Sequence, residues 1–298
     1  MKLNSLHVLL TYRCNYECDH CFVWGSPQQS GVFTLAQLEE LFQQALSAGC
    51  IEEFYFEGGE TFVYYPVLLK AVKRAHELGF ATGIVTNGYW ATSREDALAW
   101  LEPLAGAGLD RLEVSNDLLH GETAVLPEQH IAIQTVSQLG LRGGLISLES
   151  PRKAREDDKK GVPTVEGDVM FRGRAAIKLT DGLPRQPWDS FTTCPYENLA
   201  DPRRVHIDPF GYVHLCQGVT MGNVWERPLP DLIYTYDPQT HPIVNDLLAG
   251  GPAQLVKSYH FDHDDSYVDA CHLCYTAREA LREQFTDVLA PDQMYGVT

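Results

Sequence analysis

No apolar run in this sequence approaches the roughly 20 residues that a helix needs to cross a bilayer. Basic residues are scarce: 23 Lys and Arg stand against 40 Asp and Glu, for a formal net charge of −17 and a pI near 5.0. Such a field repels a phosphate backbone, so no nucleic-acid partner is expected through a basic face. The opening Met1–His7 is too polar for a signal peptide. Neither a low-complexity tract nor a repeat beyond a strand–helix rhythm is present. These absences predict a cytoplasmic chain, away from membranes, in a compartment that keeps thiols reduced. Apolar material is plentiful, at 44% of 298 residues. That suffices for one large domain, or for a domain with a smaller appendage.

Eight cysteines are present, and in a reducing compartment their clustering points to metal ligation before disulfides. Three of them, Cys14, Cys18 and Cys21, fall within eight residues. Random scattering produces that spacing only about 0.004 times per chain. Three thiolates on one tight loop can hold three irons of a cubane cluster and leave the fourth open to a small molecule. A structural zinc site wants four closed ligands. His20 is a poor fourth, because it abuts Cys21 and adjacent side chains rarely aim at one metal.

Strand and helix signals alternate through the first half, the pattern of a parallel sheet. Strands are expected at Leu6–Leu10, Phe54–Phe56, Ala81–Thr86, Leu112–Ser115 and Leu145–Leu148. Thr34–Gln37 reads as a capping box, and Gly79 as a helix stop. A further helix is expected at about 128–139, and a last barrel strand at Val169–Phe171. Periodicity alone fits a (β/α) barrel and an open doubly wound sheet nearly equally. Polar residues close several strands: Gly58-Gly59-Glu60 after the second, Thr86-Asn87 after the third, Ser115 and Asp117 after the fourth. The two glycines would let backbone approach a ligand closely. The charged run from Arg152 to Lys160 reads as a surface loop.

From about Leu183 the composition shifts to Pro, Gly and aromatic residues, and periodic helices are not expected before Thr276. Cys194, Cys216, Cys271 and Cys274 fall here, around a hairpin predicted from Val205–Ile207 and Tyr212–Leu215. Alone, these four suit a zinc ribbon and a four-thiolate iron–sulfur cluster about equally. Cys50 lies between a helix end and a strand start, where a small buried residue is the expected role.

The stretch Cys14-x3-Cys18-x-His20-Cys21, after one apolar strand, resembles the cluster loop of the radical S-adenosylmethionine (SAM) superfamily. The resemblance implies a [4Fe-4S] cluster on Cys14, Cys18 and Cys21, with SAM on the open iron and His20 near its adenine. Gly58-Gly59-Glu60 is similar to the family's Gly-Gly-Glu element at the SAM amino group, with Thr61 where the family usually has Pro. Thr86, Asn87, Ser115 and Asp117 would then meet the SAM ribose and carboxylate, and Arg172 a carboxylate. The second cysteine set, with Gly222-Asn223 after the hairpin, resembles the twitch extension of the SPASM group. That implies a second, auxiliary [4Fe-4S] cluster on Cys194, Cys216, Cys271 and Cys274.

The fold expected on this resemblance is α/β: a partial (β/α)6 barrel over residues 1–182, then a small cysteine-rich α+β domain over 183–298. The activity implied is SAM cleavage to a 5′-deoxyadenosyl radical and hydrogen abstraction, as a two-electron oxidation or cross-link of a small molecule or peptide. An external electron donor such as flavodoxin or ferredoxin is implied as a partner. A zinc- or iron–sulfur-binding interaction or sensor protein without radical chemistry is the alternative. No general base is identifiable from the sequence.

Overall fold

The computed structural model describes residues 1–120, 127–153 and 165–297. Five parallel strands, β1 (Ser5–Thr11), β2 (Glu53–Gly58), β3 (Ala81–Thr86), β4 (Arg111–Ser115) and β5 (Arg142–Ile146), pair in sequence order. Helices α1 (Leu35–Ala48), α2 (Tyr65–Glu77), α3 (Arg94–Gly106) and α4 (Pro127–Gln138) connect them. The result is the expected α/β partial barrel.

Local chemistry accounts for these elements. The Thr34 side chain caps α1 and Gln37 reciprocates, while Gly49 ends the helix in the left-handed region. The apolar face of α1 buries Leu38, Leu41, Phe42 and Ala45, and Phe42 meets Phe54 of β2 at 4.8 Å between rings. At α3 the cap is Ser93, and Asp96 answers it. Successive strand residues face opposite sides, so Phe54 and Phe56 point toward the helices. Tyr55 and Glu57 point to the other face, alongside His7 of β1.

The sixth parallel strand is not where the sequence placed it. Val169–Phe171 is irregular and buried. Beside β1 runs β9 (Arg204–Ile207) instead, pairing Ser5 with Arg204 through to Val8 with Ile207. It continues into β10 (Tyr212–Cys216) and β11 (Val219–Asn223), both antiparallel, so the predicted hairpin extends the barrel sheet. The full order is β11-β10-β9-β1-β2-β3-β4-β5. Short ribbons pair β6 (Arg152–Lys153) with β7 (Val165–Glu166), and β8 (Gln186–Pro187) with β12 (Ser266–Tyr267). Only Arg152 and Lys153 of the charged run lie among the described residues.

The second half also holds more helix than expected: α5 (Ala175–Lys178), α6 (Leu229–Thr235), α7 (Pro242–Tyr259) and α8 (Ala270–Leu281). Gly250-Gly251-Pro252 interrupts the apolar periodicity of α7, and the chain is non-helical at both glycines. That break hid the helix from a pattern search.

One buried carboxylate ties the hairpin to the first half. Asp208 accepts from the Tyr12 hydroxyl at 2.7 Å, His214 Nε2 at 3.2 Å, and the amides of Phe210 and Tyr212 at 3.0 Å each. Asp208→Ala would leave these donors unpaired in the interior. A loss of about 3 kcal/mol or more is expected in urea unfolding.

Candidate active site at the carboxyl ends of the strands

In a parallel sheet all strands end on one side, and ligand-bearing loops gather there. The loop after β1 carries Cys14, Cys18 and Cys21 into that space. Its backbone is closely held: Cys14 N–H donates to Ser26 O at 3.0 Å, and Cys21 N–H to Cys18 O at 3.1 Å. Two amides point at sulfurs, Tyr16 N–H at Cys14 Sγ (3.3 Å) and Gly25 N–H at Cys21 Sγ (3.2 Å). Burial, with neighbouring thiols adding to it, pushes Cys14 and Cys18 up to about 12. Thiols in such a place ionise readily only when a cation joins them.

A cavity of about 240 Å³ opens beside this loop. Its lining includes all three cysteines, His20, Gly58, Gly59, Glu60, Thr86, Asn87, Ser115 and Asp117. Residues separated by a hundred positions thus converge on one space.

The glycines also meet a constraint from within the chain. A Cβ on Gly58 would lie 2.4 Å from Thr11 O, and one on Gly59 2.3 Å from Arg13 O. They admit the backbone of the cysteine loop while lining the cavity, and Gly59 N–H and Glu60 N–H bond to Thr11 O and Arg13 O at 2.7 and 2.9 Å. The Glu60 carboxylate is fully buried and accepts from Phe62 N–H, Thr86 Oγ1 and Asn87 N–H at 3.0, 2.8 and 2.8 Å. Thr86 Oγ1 also accepts from Gly88 N–H and Trp90 Nε1. Asn87 Nδ2 donates to Asn15 Oδ1 in the cysteine loop at 2.8 Å. These side chains brace the loop against β2 and β3.

His20 packs edge-on against His120, with ring centroids 4.6 Å apart. Burial, with the charge of His120 adding to it, lowers His20 to about 4. It is therefore a neutral imidazole, and its buried Nδ1 has no partner among the described residues. Asp117 accepts from His120 Nδ1 at 2.8 Å and from Leu119 N–H at 3.0 Å. Burial pushes its carboxyl upward, but the His120 bond prevails and holds it below the ordinary carboxylate range.

Arg172 departs from expectation, because it does not line this cavity. It lies in a second one, with Cys194, Cys216, Cys271 and Cys274. Its NH1 donates to Glu197 Oε1 at 3.2 Å and to Cys216 Sγ at 3.3 Å. Its strand was misplaced, and with it the direction of the side chain. Cys271 and Cys274 occupy the first two turns of α8, whose start is capped by Asp269. Burial pushes Cys274 up to about 12 and raises Cys194 and Cys271 as well. Among the described residues, neither cysteine set brings three sulfurs within 4.8 Å of one another. Cys50 lies between α1 and β2, half-buried against the core.

Sequence reasoning missed several groups. Arg174 donates to Cys18 O at 2.6 Å and to Gly25 O at 3.0 Å, clamping the first loop. His7, Glu57 and His206, from β1, β2 and β9, meet on the sheet face away from the helices. His7 Nδ1 lies 2.6 Å and His206 Nε2 3.1 Å from Glu57 Oε1, and Glu57 also lines the first cavity. Period-two alternation was the available signal: His7 and Glu57 interrupt otherwise apolar strands.

Residues 8–125 match the sequence profile of the radical SAM superfamily. The chain carries a radical SAM domain. A "Putative peptide biosynthesis protein YydG" of Bacillus subtilis (strain 168) is 24% identical over 120 residues, 40% of this chain and 38% of that protein. A "Probable GTP 3′,8-cyclase" of Methanothermobacter thermautotrophicus is 32% identical over 120 residues, 40% of this chain and 37% of that protein. This chain therefore matches under two fifths of either relative's length. Among solved structures, the crystal structure of BtrN in complex with AdoMet and 2-DOIA aligns with a TM-score of 0.53 at 17% identity. That alignment covers 79% of this chain and 83% of BtrN, and the likeness is one of fold. No helix among the described residues is long and apolar enough to cross a membrane.

The Glu57 cluster yields a pH-dependent expectation. Burial alone would raise the Glu57 carboxyl, but His206 and His7 outweigh it and hold it well below the ordinary range. A depressed carboxyl stabilises the fold above its unfolded pKa and loses that contribution as pH falls. Glu57→Gln is expected to cost about 2 kcal/mol in urea unfolding at pH 8. The gap between parent and variant should narrow steadily below about pH 4.5.

Proposed function

We propose that this chain is a radical SAM enzyme that oxidises or cross-links a small molecule or peptide through hydrogen-atom abstraction. The observation that carries the reading is the single cavity joining Cys14, Cys18, Cys21 and His20 to the ends of β2, β3 and β4. Cys14, Cys18 and Cys21 would hold a [4Fe-4S] cluster with SAM on its open iron, and His20, Ser115 and Asp117 would face the nucleoside. The unpartnered Nδ1 of His20 fits a ligand in this place. The chemistry such a group supplies, once reduced, is a 5′-deoxyadenosyl radical able to take hydrogen from an unactivated C–H bond. The chain's own part is to hold and orient. Arg174, Asn87 and the Gly58–Glu60 turn fix the loop.

We assign Cys194, Cys216, Cys271 and Cys274 to a second, auxiliary [4Fe-4S] cluster, in a region running from about residue 183 to 298. That all four cysteines line one cavity supports a shared ligand there. With four thiolates no iron stays open to substrate, which leaves electron acceptance or support as its role. An external one-electron donor such as flavodoxin or ferredoxin would supply the reducing electron.

Cys14→Ala, Cys18→Ala and Cys21→Ala should each abolish 5′-deoxyadenosine formation while an iron–sulfur signal from the second site persists. Parental rates in any one of them would refute the assignment. With a turned-over substrate, mass spectrometry should find a product two hydrogens lighter, or newly cross-linked, one for each 5′-deoxyadenosine.

A further inference from the structure

The second cavity is walled mainly by apolar side chains and thiols, yet two guanidinium groups enter it. Arg278 is 1% exposed and Arg172 9%. Arg278 Nε donates to Cys274 O at 3.1 Å, and its NH1 bonds to Gln217 O, next to Cys216. Among the described residues no carboxylate lies within salt-bridge distance of Arg278, and only Glu197 pairs with Arg172. A buried cation without an anion is among the most costly arrangements in a protein. The other anions near the site are Asp269, which caps α8 beside Cys271, and the four cysteine thiolates. Arg172 NH1 already points at one of them, 3.3 Å from Cys216 Sγ.

Four thiolates around a [4Fe-4S]²⁺ core carry −2, the Glu197 and Asp269 carboxylates add up to −2, and the two guanidiniums contribute +2. Adding one electron to the core makes no bond and moves no proton, but it raises the local negative charge by one. Fixed cations in a low-dielectric pocket reduce the cost of that step more than surface charges can.

Arg172 also faces the first site. Its guanidinium lies over the Phe22 ring at 5.9 Å, and Phe22 follows Cys21 directly. Two residues on, Arg174 N–H donates to Cys21 O at 2.9 Å. Between them Gly173 has φ +59°, and a Cβ there would lie 2.6 Å from Cys21 O. One tripeptide thus touches both cysteine sets.

We infer that Arg172 and Arg278 are tuning residues, which raise the reduction potential of the second cluster so that it accepts an electron instead of serving only as a staple. The inference rests on the auxiliary-cluster reading above. In that role the site would receive the odd electron left on substrate after hydrogen abstraction, its core passing from 2+ to 1+. The substrate proton leaves separately.

The test is a potentiometric titration of the anaerobically reconstituted full chain, followed by electron paramagnetic resonance, with SAM added to mark the first cluster's signal. Arg172→Gln should lower the reduction equilibrium of the second cluster at least tenfold, or 59 mV for one electron. Arg172→Lys, which keeps the charge, should stay within threefold of the parent. Glu197→Gln should move the equilibrium the opposite way, because it removes the anion that offsets Arg172. The first cluster's potential should not move in any of them. Arg278→Gln should behave as Arg172→Gln does.

If Arg172→Gln sheds the cluster, the upward shift in Glu197→Gln still decides the matter. Unchanged potentials in Arg172→Gln and Glu197→Gln, with both clusters retained, would overturn the inference. Zinc in the second site of the parent, or a single cluster per chain, would instead overturn the reading beneath it.

Discussion

Strand β1 is gripped on both sides by parallel partners, β2 along Ser5–Leu9 and β9 along Ser5–Val8. The remainder of the molecule depends on that double pairing. It fixes the direction in which the cysteine loop leaves the sheet, and it places the loop over the ends of β2 and β3. It also anchors the hairpin that carries Cys216. The hairpin's turn is bound to the first half through Tyr12 and Asp208, two residues before Cys14. Cys216 closes β10 at the hairpin's far end, four residues from Tyr212, or about 13 Å at 3.3 Å per residue. The hairpin therefore acts as a spacer between the two thiol sets.

Much of the polar chemistry near the first cavity is structural. Glu60, Thr86 and Asn87 spend nearly all their hydrogen-bonding capacity on one another and on the loop. A buried polar network of this kind is rigid when fully satisfied. The rigidity keeps three thiols in place on a segment with no helix or strand of its own.

Where a local rule governs, the sequence was readable. The capping box at Thr34, the hairpin around Asp208–Gly211 and the cysteine spacing depend on neighbours along the chain, and each stands where the residues put it. Reading failed where a distant partner decides. Val169–Phe171 is apolar enough for a strand, but the place beside β1 goes to Arg204–Ile207. Gly58 and Gly59 are required by the approach of residues 11–13, which no local pattern announces. The His7, Glu57 and His206 cluster needs three strands, one of them about 200 residues away, before it exists. Arg172 shows the same effect, since its role depends on which cavity its segment borders.

The pairing of β1 with β9 has a consequence for biosynthesis. The ribosome releases β1 and the cysteine loop well before Arg204–Ile207 emerges, so for most of translation β1 has one bare edge. An unpaired, apolar strand edge recruits other strands, and non-local pairing of this kind closes slowly. Any piece of this chain that stops short of residue 204 keeps that edge open permanently. Such a fragment would retain every cysteine of the first loop and still be prone to self-association. Completion of the sheet, rather than of the loop, is what makes the nascent chain safe.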